Sequence, residues 1–351
     1  MKILIVSQTF PLTPTDSTAH FMYDFASGFK SLGHKVFILL PFNENLKPKS
    51  FKNINISQFK YVFPNRLAQL GYGRSLKGGQ TLSLFNYLLI PFYVLFQTIS
   101  LYKLVKNKKI DFINAHWILP NGPAAVIVSI LTSKPLIITL PGSDVFVSQM
   151  NPLFWIVSKL SARFATIVTN SPQLSLDLKE KGYFIQYAVP VEKGTRILNK
   201  NVLIATAGRK VPKKGFEIIK KILPNIEVIS GISNNEFRKK LLGIDIFIAL
   251  SIRDSKGNLD DASLTVLEAM AAGCTVIASD LPGYRLIIEN GKNGFLVNPK
   301  KINEIKSIIE KLRKSPALRR NIGKGAKKKI MDFYTPKSIA KEYVSLFLKA
   351  K

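Results

Sequence analysis

Strand-length apolar runs alternate with helical stripes along this chain, and that alternation fixes its fold class. Lys2–Val6 is a near-continuous β-branched run, the pattern of a parallel-sheet strand covered on both faces. Phe21, Phe25 and Phe29 then recur every fourth residue beside Met22, Ala26 and Leu32, forming one helical stripe. Gly33 stops the helix, and residues 36–40 form the next strand. Strand, helix and strand in this order make a βαβ unit and predict a parallel sheet. The loop 8–19 therefore sits at the carboxyl edge of that sheet, where such folds bind ligands. Residues 111–115 and 135–140 are two more strands. Each runs into a loop of site-like composition, His116-Trp117 to Gly122 and Pro141-Gly142-Ser143-Asp144. Strands at 165–169 and 183–189 complete this half, with Asn170-Ser171-Pro172 as a helix N-cap.

The second half repeats the grammar. Strands are expected at 201–206, 226–230, 244–250, 275–279 and 294–297, with helices between. The polar segment 190–200 marks the boundary. This gives an α/β protein of two Rossmann-like domains, 1–190 and 191–334. A C-terminal helix, 335–351, starts at Thr335-Pro336 and returns to the first domain. Residues 43–80 give no clear assignment.

Lys and Arg number 51 against 22 Asp and Glu, a net charge of +29. Such a surplus suits a polyanionic neighbour, or reflects a chain rich in Lys, Ile and Asn. Nucleic acid is not expected, because no Arg-rich or aromatic-interleaved motif is present. The single Cys274 excludes an internal disulfide and fits a reducing compartment. The opening apolar run is too short for a signal core, so a cytoplasmic location is expected. Residues 82–105 are long and apolar enough for a membrane span, but Asn86, Pro91, Gln97 and Lys103 interrupt them. A helix kinked at Pro91 is expected, partly core and partly docked on an anionic bilayer through Lys103, Lys106, Lys108 and Lys109. An ordinary core helix with a solvated lysine end fits the same residues.

Two acids carry the chemistry of the second half. Asp260 and Glu268 flank an apolar segment that enters a helix, followed by Ala269, Ala271, Ala272 and Gly273, small residues that permit close approach. Buried carboxylates need partners, either internal or on a ligand. As a purely structural acid, Glu268 would need a buried partner of its own. Gly208-Arg209 and Lys213-Lys214-Gly215 lie between a strand and a helix. Glycine, fixed positive charge and a helix N-terminus suit a diphosphate, and a plain basic loop is the alternative.

Gly208-Arg209, Lys214-Gly215, Asp260 with Glu268, Ala269-Met270-Ala-Ala-Gly273 and Asn290 to Val297 together resemble the family 4 glycosyltransferases. These are retaining enzymes of the GT-B fold, two Rossmann-like domains facing across a cleft. Gly33-His34, His116-Trp117, Gly142-Ser-Asp144 and Thr169-Asn-Ser171 fall where that family has its landmarks. The resemblance implies a hexosyltransferase that uses a nucleotide-diphosphate sugar. In it, Arg209 and Lys214 neutralise the diphosphate, Glu268 holds the ribose, and Asp260 contacts the donor sugar. The segment from Asp261 through Ala262 and Ser263 to Leu264 offers its amides. His116 reaches the reacting centre, and Asp16, Asp144 and Gly208 are further candidates, Asp144 also reading as a loop cap. With no Asp-x-Asp motif, no metal or other cofactor is expected. The acceptor is expected to be lipid-linked or a saccharide, on the inner face of the cell membrane. Four departures stand out. Thr15 to Thr18 replaces a Gly-Gly, Pro141 replaces a His, and Leu286 stands near a usual Glu. The span between Gly215 and Asp245 looks one βα unit short. A sugar-nucleotide-binding partner subunit with degenerate catalysis is the alternative function.

Overall fold

The computed structural model describes all residues except 17, 73–75, 78–80, 150, 193, 195, 197–200, 256–258, 261 and 351, and for 76, 77, 81 and 82 it describes the backbone alone. Contacts divide the chain into two units, Met1–Ile185 with Ile339–Lys351, and Gln186–Ser338.

Unit 1 begins with β1 (Lys2–Val6), α1 (His20–Ser31), β2 (Lys35–Pro41) and β3 (Asn55–Phe59), followed by the short hairpin β4 (Leu76–Lys77) and β5 (Thr81–Leu82). Then come α2 (Leu84–Lys108), β6 (Phe112–His116), α3 (Ile118–Thr132), β7 (Leu136–Leu140), α4 (Ser143–Gln149), α5 (Pro152–Arg163), β8 (Thr166–Thr169), α6 (Pro172–Leu178) and β9 (Tyr183–Phe184). The main sheet has the order β3-β2-β1-β6-β7-β8-β9, all parallel. Strands β1, β6 and β7 are almost wholly buried, as their unbroken apolar runs require. The chain steps from β1 outward to β2 and β3, then returns to lay β6 on the other side of β1. That reversal is a topological switch point, and the loops after β1 and β6 meet at its carboxyl end. On α1 the buried stripe is Met22, Phe25, Ala26 and Phe29.

Helix α2 is one continuous helix of 25 residues that runs through Pro91. Asn86, Leu89, Tyr93, Gln97, Leu101 and Val105 point inward at helical spacing. Gln97 donates to Asn121 Oδ1 at 2.7 Å, and Asn121 donates in turn to the His116 carbonyl at 2.6 Å. These bonds satisfy buried polar groups that would otherwise be costly. The opposite face exposes Leu84, Leu88, Phe92, Leu95 and Ile99. By length and composition α2 could cross a bilayer, yet its inner face belongs to the core of unit 1.

Unit 2 holds β10 (Ile204–Ala207), α7 (Phe216–Ile222), β11 (Glu227–Ile229), α8 (Asn234–Leu241), β12 (Ile246–Ala249), α9 (Leu264–Ala271), β13 (Thr275–Ser279), α10 (Pro282–Arg285), β14 (Phe295–Val297), α11 (Ile302–Lys314) and α12 (Pro316–Lys329). Its sheet is parallel, in the order β11-β10-β12-β13-β14. Between Gly215 and Asp245 the chain fits only α7, the three-residue β11 at the sheet edge, and α8. The switch point of this sheet lies between β10 and β12. Before β13, small residues allow α12 to approach closely: a Cβ on Gly323 would lie 2.2 Å from the Gly273 carbonyl oxygen.

The last helix, α13 (Pro336–Lys349), buries Tyr343 and Phe347 within unit 1. Tyr343 shares a 3.0 Å hydrogen bond with Thr139, and Phe347 stacks on Phe112 with ring centroids 4.7 Å apart.

Candidate functional site

Each unit gathers polar side chains at the carboxyl end of its sheet. In unit 2, β10 ends at Ala207, and Gly208 follows with φ +135°. A Cβ on Gly208 would come within 3.1 Å of Lys214 Cε, so the bare backbone leaves room for the lysine stem. A 3₁₀ turn, Pro212–Lys214, leads into Gly215, which has φ +64°. A Cβ on Gly215 would lie 1.9 Å from the Leu250 carbonyl oxygen, just past β12. Only glycine lets the loops after β10 and β12 meet this closely. Ile252 N–H donates to the Lys213 carbonyl at 3.0 Å and ties them further.

This contact brings Lys214 onto the loop before α9. Its ammonium pairs with Asp260 at 2.6 Å and donates to Ser263 Oγ at 2.9 Å. Burial pushes the Asp260 carboxyl up. Lys214, with Lys213 and the Ser263 bond, outweighs that and holds it below the usual carboxylate range. Tyr284, fully buried, donates its hydroxyl to the Asp260 carbonyl at 3.0 Å and fixes the loop from beneath. An ammonium has three donors, so among the described residues Lys214 keeps one N–H beyond these two contacts. Ser263 is the N-cap of α9 by position, but its side chain does not cap. Its Oγ instead faces Lys214 and Thr265 Oγ1, the latter at 2.8 Å. Ala262 is buried beside it, and Leu264 opens the helix. Asp261 lies outside the described residues, as does Ser17 of the first loop.

Glu268 is held from within unit 2. It is 3 % exposed and has an internal partner: Arg238, 6 % exposed, donates Nε to Oε1 at 3.0 Å. Asn234 donates to the same oxygen at 2.9 Å. Both partners come from α8, in the compressed stretch between Gly215 and Asp245. Nothing local in the sequence marks this ion pair, because its halves lie thirty positions apart on different helices. Arg209, in contrast, is exposed and makes no side-chain hydrogen bond or ion pair among the described residues. It does not join Lys214.

In unit 1, His116 ends β6 and is 4 % exposed. Its ring meets Phe25 edge-on at 4.7 Å, and neither ring nitrogen has a hydrogen-bond partner among the described residues. Burial lowers its pKa to about 3, so the ring is neutral at pH 7. Asp144 is 2 % exposed and accepts the Ile118 N–H at 2.7 Å and the Gly142 N–H at 3.1 Å. It therefore caps both the start of α3 and its own loop. Burial raises its carboxyl to about 6 despite those backbone bonds. Asp16 ties the first loop, accepting the Leu12 and Thr18 N–H groups at 2.9 Å each. Pro141 lies beside Gly142, which has φ +118°, and Leu286 is 43 % exposed.

His116 makes a pH prediction. Its folded pKa lies below its unfolded value, so the folded state binds the proton less readily. Its contribution to stability is complete above about pH 6.5 and falls as pH drops toward 3, by about 1.4 kcal/mol per unit. Asp144, raised to about 6, acts in the opposite sense, losing stability as pH rises from about 4 to 6. Comparing wild type with His116→Phe therefore isolates the histidine. The variant is expected to flatten the acid limb, measured by urea midpoints between pH 4 and 7.

Two family models match the chain. One, "Glycosyl transferases group 1", covers residues 196–329, and the other, "Glycosyl transferase 4-like", covers residues 14–171. The chain is a glycosyltransferase of the GT-B fold. An uncharacterized glycosyltransferase of Methanocaldococcus jannaschii is 27% identical over 65% of this chain and 74% of its own length. Other curated relatives match over less than half of their own length, among them an MMP alpha-(1->4)-mannosyltransferase of Mycolicibacterium hassiacum at 48%. Among solved structures, sucrose-phosphate synthase from Thermosynechococcus elongatus aligns with a TM-score of 0.72 and 14% identity, over 99% of this chain and 98% of that one. The HepE protein of Anabaena, solved with UDP-glucose, aligns with a TM-score of 0.68 and 15% identity, over 99% and 100%. These GT-B glycosyltransferases share the fold of two parallel-sheet units.

Proposed function

We propose that this glycosyltransferase is a retaining, sugar-nucleotide-dependent hexosyltransferase. The observation that carries the reading is the Lys214–Asp260–Ser263 cluster at the switch point of the unit 2 sheet. Such points are where doubly wound sheets hold nucleotides. Lys214 and the first amides of α9 neutralise the leaving diphosphate, with Arg209 as a second cation from the same loop. Because these groups supply the charge, the reaction is proposed to need no metal. Asp260, kept ionised by Lys214, receives the hydroxyls of the donor sugar. Glu268, oriented by Arg238 and Asn234, receives those of the ribose. In unit 1, His116 presents a neutral ring to the acceptor hydroxyl, and Asp144 acts at one remove by shaping the loop. The UDP-glucose in the HepE structure supports a uridine or similar nucleotide donor.

The acceptor in this reading is lipid-linked, and the enzyme is peripheral on the cytoplasmic face of the membrane. The exposed apolar face of α2 and the net charge of +29 motivate this. The test is incubation with a panel of radiolabelled nucleotide sugars and a lipid extract. A labelled lipid with the donor's anomeric configuration is the expected product. Donor binding without release of nucleoside diphosphate would leave a degenerate binding subunit instead. No response to any nucleotide sugar would remove the reading altogether.

A further inference from the structure

Unit 1 contains a groove of about 580 Å³ between α2, α3 and α5, within the usual size of small-molecule sites, about 300–1,000 Å³. Its walls are Ile90, Val94 and Leu95 of α2, Pro123 and Ile127 of α3, and Val157 of α5. Trp117, Ser143, Asp144 and Gln8 also line it. The lining has few polar groups, and most are already engaged. Thr98 turns its hydroxyl back to the Val94 carbonyl at 2.7 Å. Trp117 Nε1 donates to Ser143 Oγ at 3.2 Å, and Asp144 holds backbone N–H groups. Only the Gln8 side chain makes no hydrogen bond among the described residues. A peptide or a sugar in this groove would strand its own polar groups, whereas a hydrocarbon has none to strand.

The topology orients the groove. Helices α2, α3 and α5 each cross over between parallel strands, so their N-terminal ends lie at the carboxyl edge of the sheet. Gln8 follows β1 and Ser143 follows β7 at that same edge. The stacked rings of Tyr87 and Phe154, centroids 5.7 Å apart, bridge α2 and α5 at their N-terminal ends. Polar residues thus mark the end near His116, while the apolar walls run away from it along the helices. Outside, Leu88, Phe92, Leu153 and Ile156 extend the apolar rim. The exposed Lys103, Lys106 and Lys108 follow on α2 and Lys109 just past its end, joining an apolar face to a basic end that complements anionic lipid.

We infer that this groove takes one hydrocarbon chain of a lipid acceptor, with the lipid's polar head at the Gln8 and His116 edge. The inference rests on the lipid-acceptor reading above and specifies where the chain lies. The full-length protein is titrated with cis-parinaric acid, whose fluorescence rises in apolar sites. The probe is then displaced with dodecanol in one arm and farnesol in another. Saturable binding displaced by either alcohol is expected, and the stronger competitor separates an acyl from an isoprenoid chain. Val157→Trp fills the groove and Leu95→Glu charges its half-exposed rim. Each is expected to weaken binding about tenfold or more while keeping a cooperative melt. No saturable binding, or equal binding in both folded variants, overturns the inference. So does self-association that abolishes binding, since it would assign the groove to a second copy. Thermal shifts with nucleotide sugars on the same samples separate the two ideas. A donor response without chain binding removes the groove site alone, and chain binding without a donor response removes the donor reading alone.

Discussion

Lys214→Ala is expected to lower glycosyl transfer about 10²–10³-fold, the usual cost of removing one group that stabilises developing charge. The side chain reaches the site only because Gly208 leaves space for its stem and Gly215 brings its loop onto Leu250. Its ammonium then lies 2.6 Å from Asp260 and 2.9 Å from Ser263. The substitution removes a cation from the proposed diphosphate position and also releases Asp260. With Lys214 gone, burial dominates and the Asp260 carboxyl rises. The pair also contributes to stability, on the order of 2 kcal/mol for a charged hydrogen bond. Because the folded pKa of Asp260 is depressed, that contribution is present above about pH 4 and is lost as pH falls further. Lys214→Arg is not expected to restore activity, since a planar guanidinium cannot reproduce a point charge in the space beside Gly208. Steady-state rates at saturating donor, with urea melts of each variant, check both parts. Unchanged turnover in Lys214→Ala would remove the residue from the chemistry.

Arg238→Met is expected to have the largest effect on stability. Arg238 and Glu268 are both nearly inaccessible to solvent, and removing one half of a buried pair leaves the other charge uncompensated, a cost of about 3–5 kcal/mol. Asn234 still donates to Glu268 Oε1, which places the expected loss toward the lower end. Replacing both charges by apolar residues of similar volume, Arg238→Met with Glu268→Leu, is expected to recover most of the lost stability. It is not expected to recover donor binding, because Glu268 is proposed to hold the ribose. Urea midpoints and donor titrations across the cycle of two single variants and the double variant separate these effects. Donor affinity that returns with stability in the double variant would reduce Glu268 to a structural acid.

The parts of the fold that were legible share one physical cause. Strands such as β1, β6 and β7 are covered on both faces and so read as unbroken apolar runs, and the Phe25–Phe29 spacing places α1. Strand β3 has no clear sequence signature because it is a sheet edge with only Phe59 buried, so Asn55-Ile-Ser-Gln carries little apolar signal. Of the site, Lys214 and Asp260 were named from local motifs and are in contact. The Arg238–Glu268 pair was not legible: a buried ion pair between two helices leaves no periodicity in either. The Asp144 cap was half legible, since Gly142-Ser-Asp144 suggests a loop cap, but its hold on Ile118 depends on β6 and β7 lying side by side. The groove is invisible in sequence for the same reason, because its walls come from three separate crossover helices.

The central claim is that the cluster in unit 2 binds a nucleotide sugar through Lys214. The most direct measurement is a thermal-shift titration of wild type and Lys214→Ala with a panel of nucleoside-diphosphate sugars. At least one compound is expected to raise the wild-type melting temperature with concentration, as a ligand of the native state must, and to leave Lys214→Ala unmoved at the same concentrations. An equal shift in both proteins, or no shift with any compound, would contradict the account.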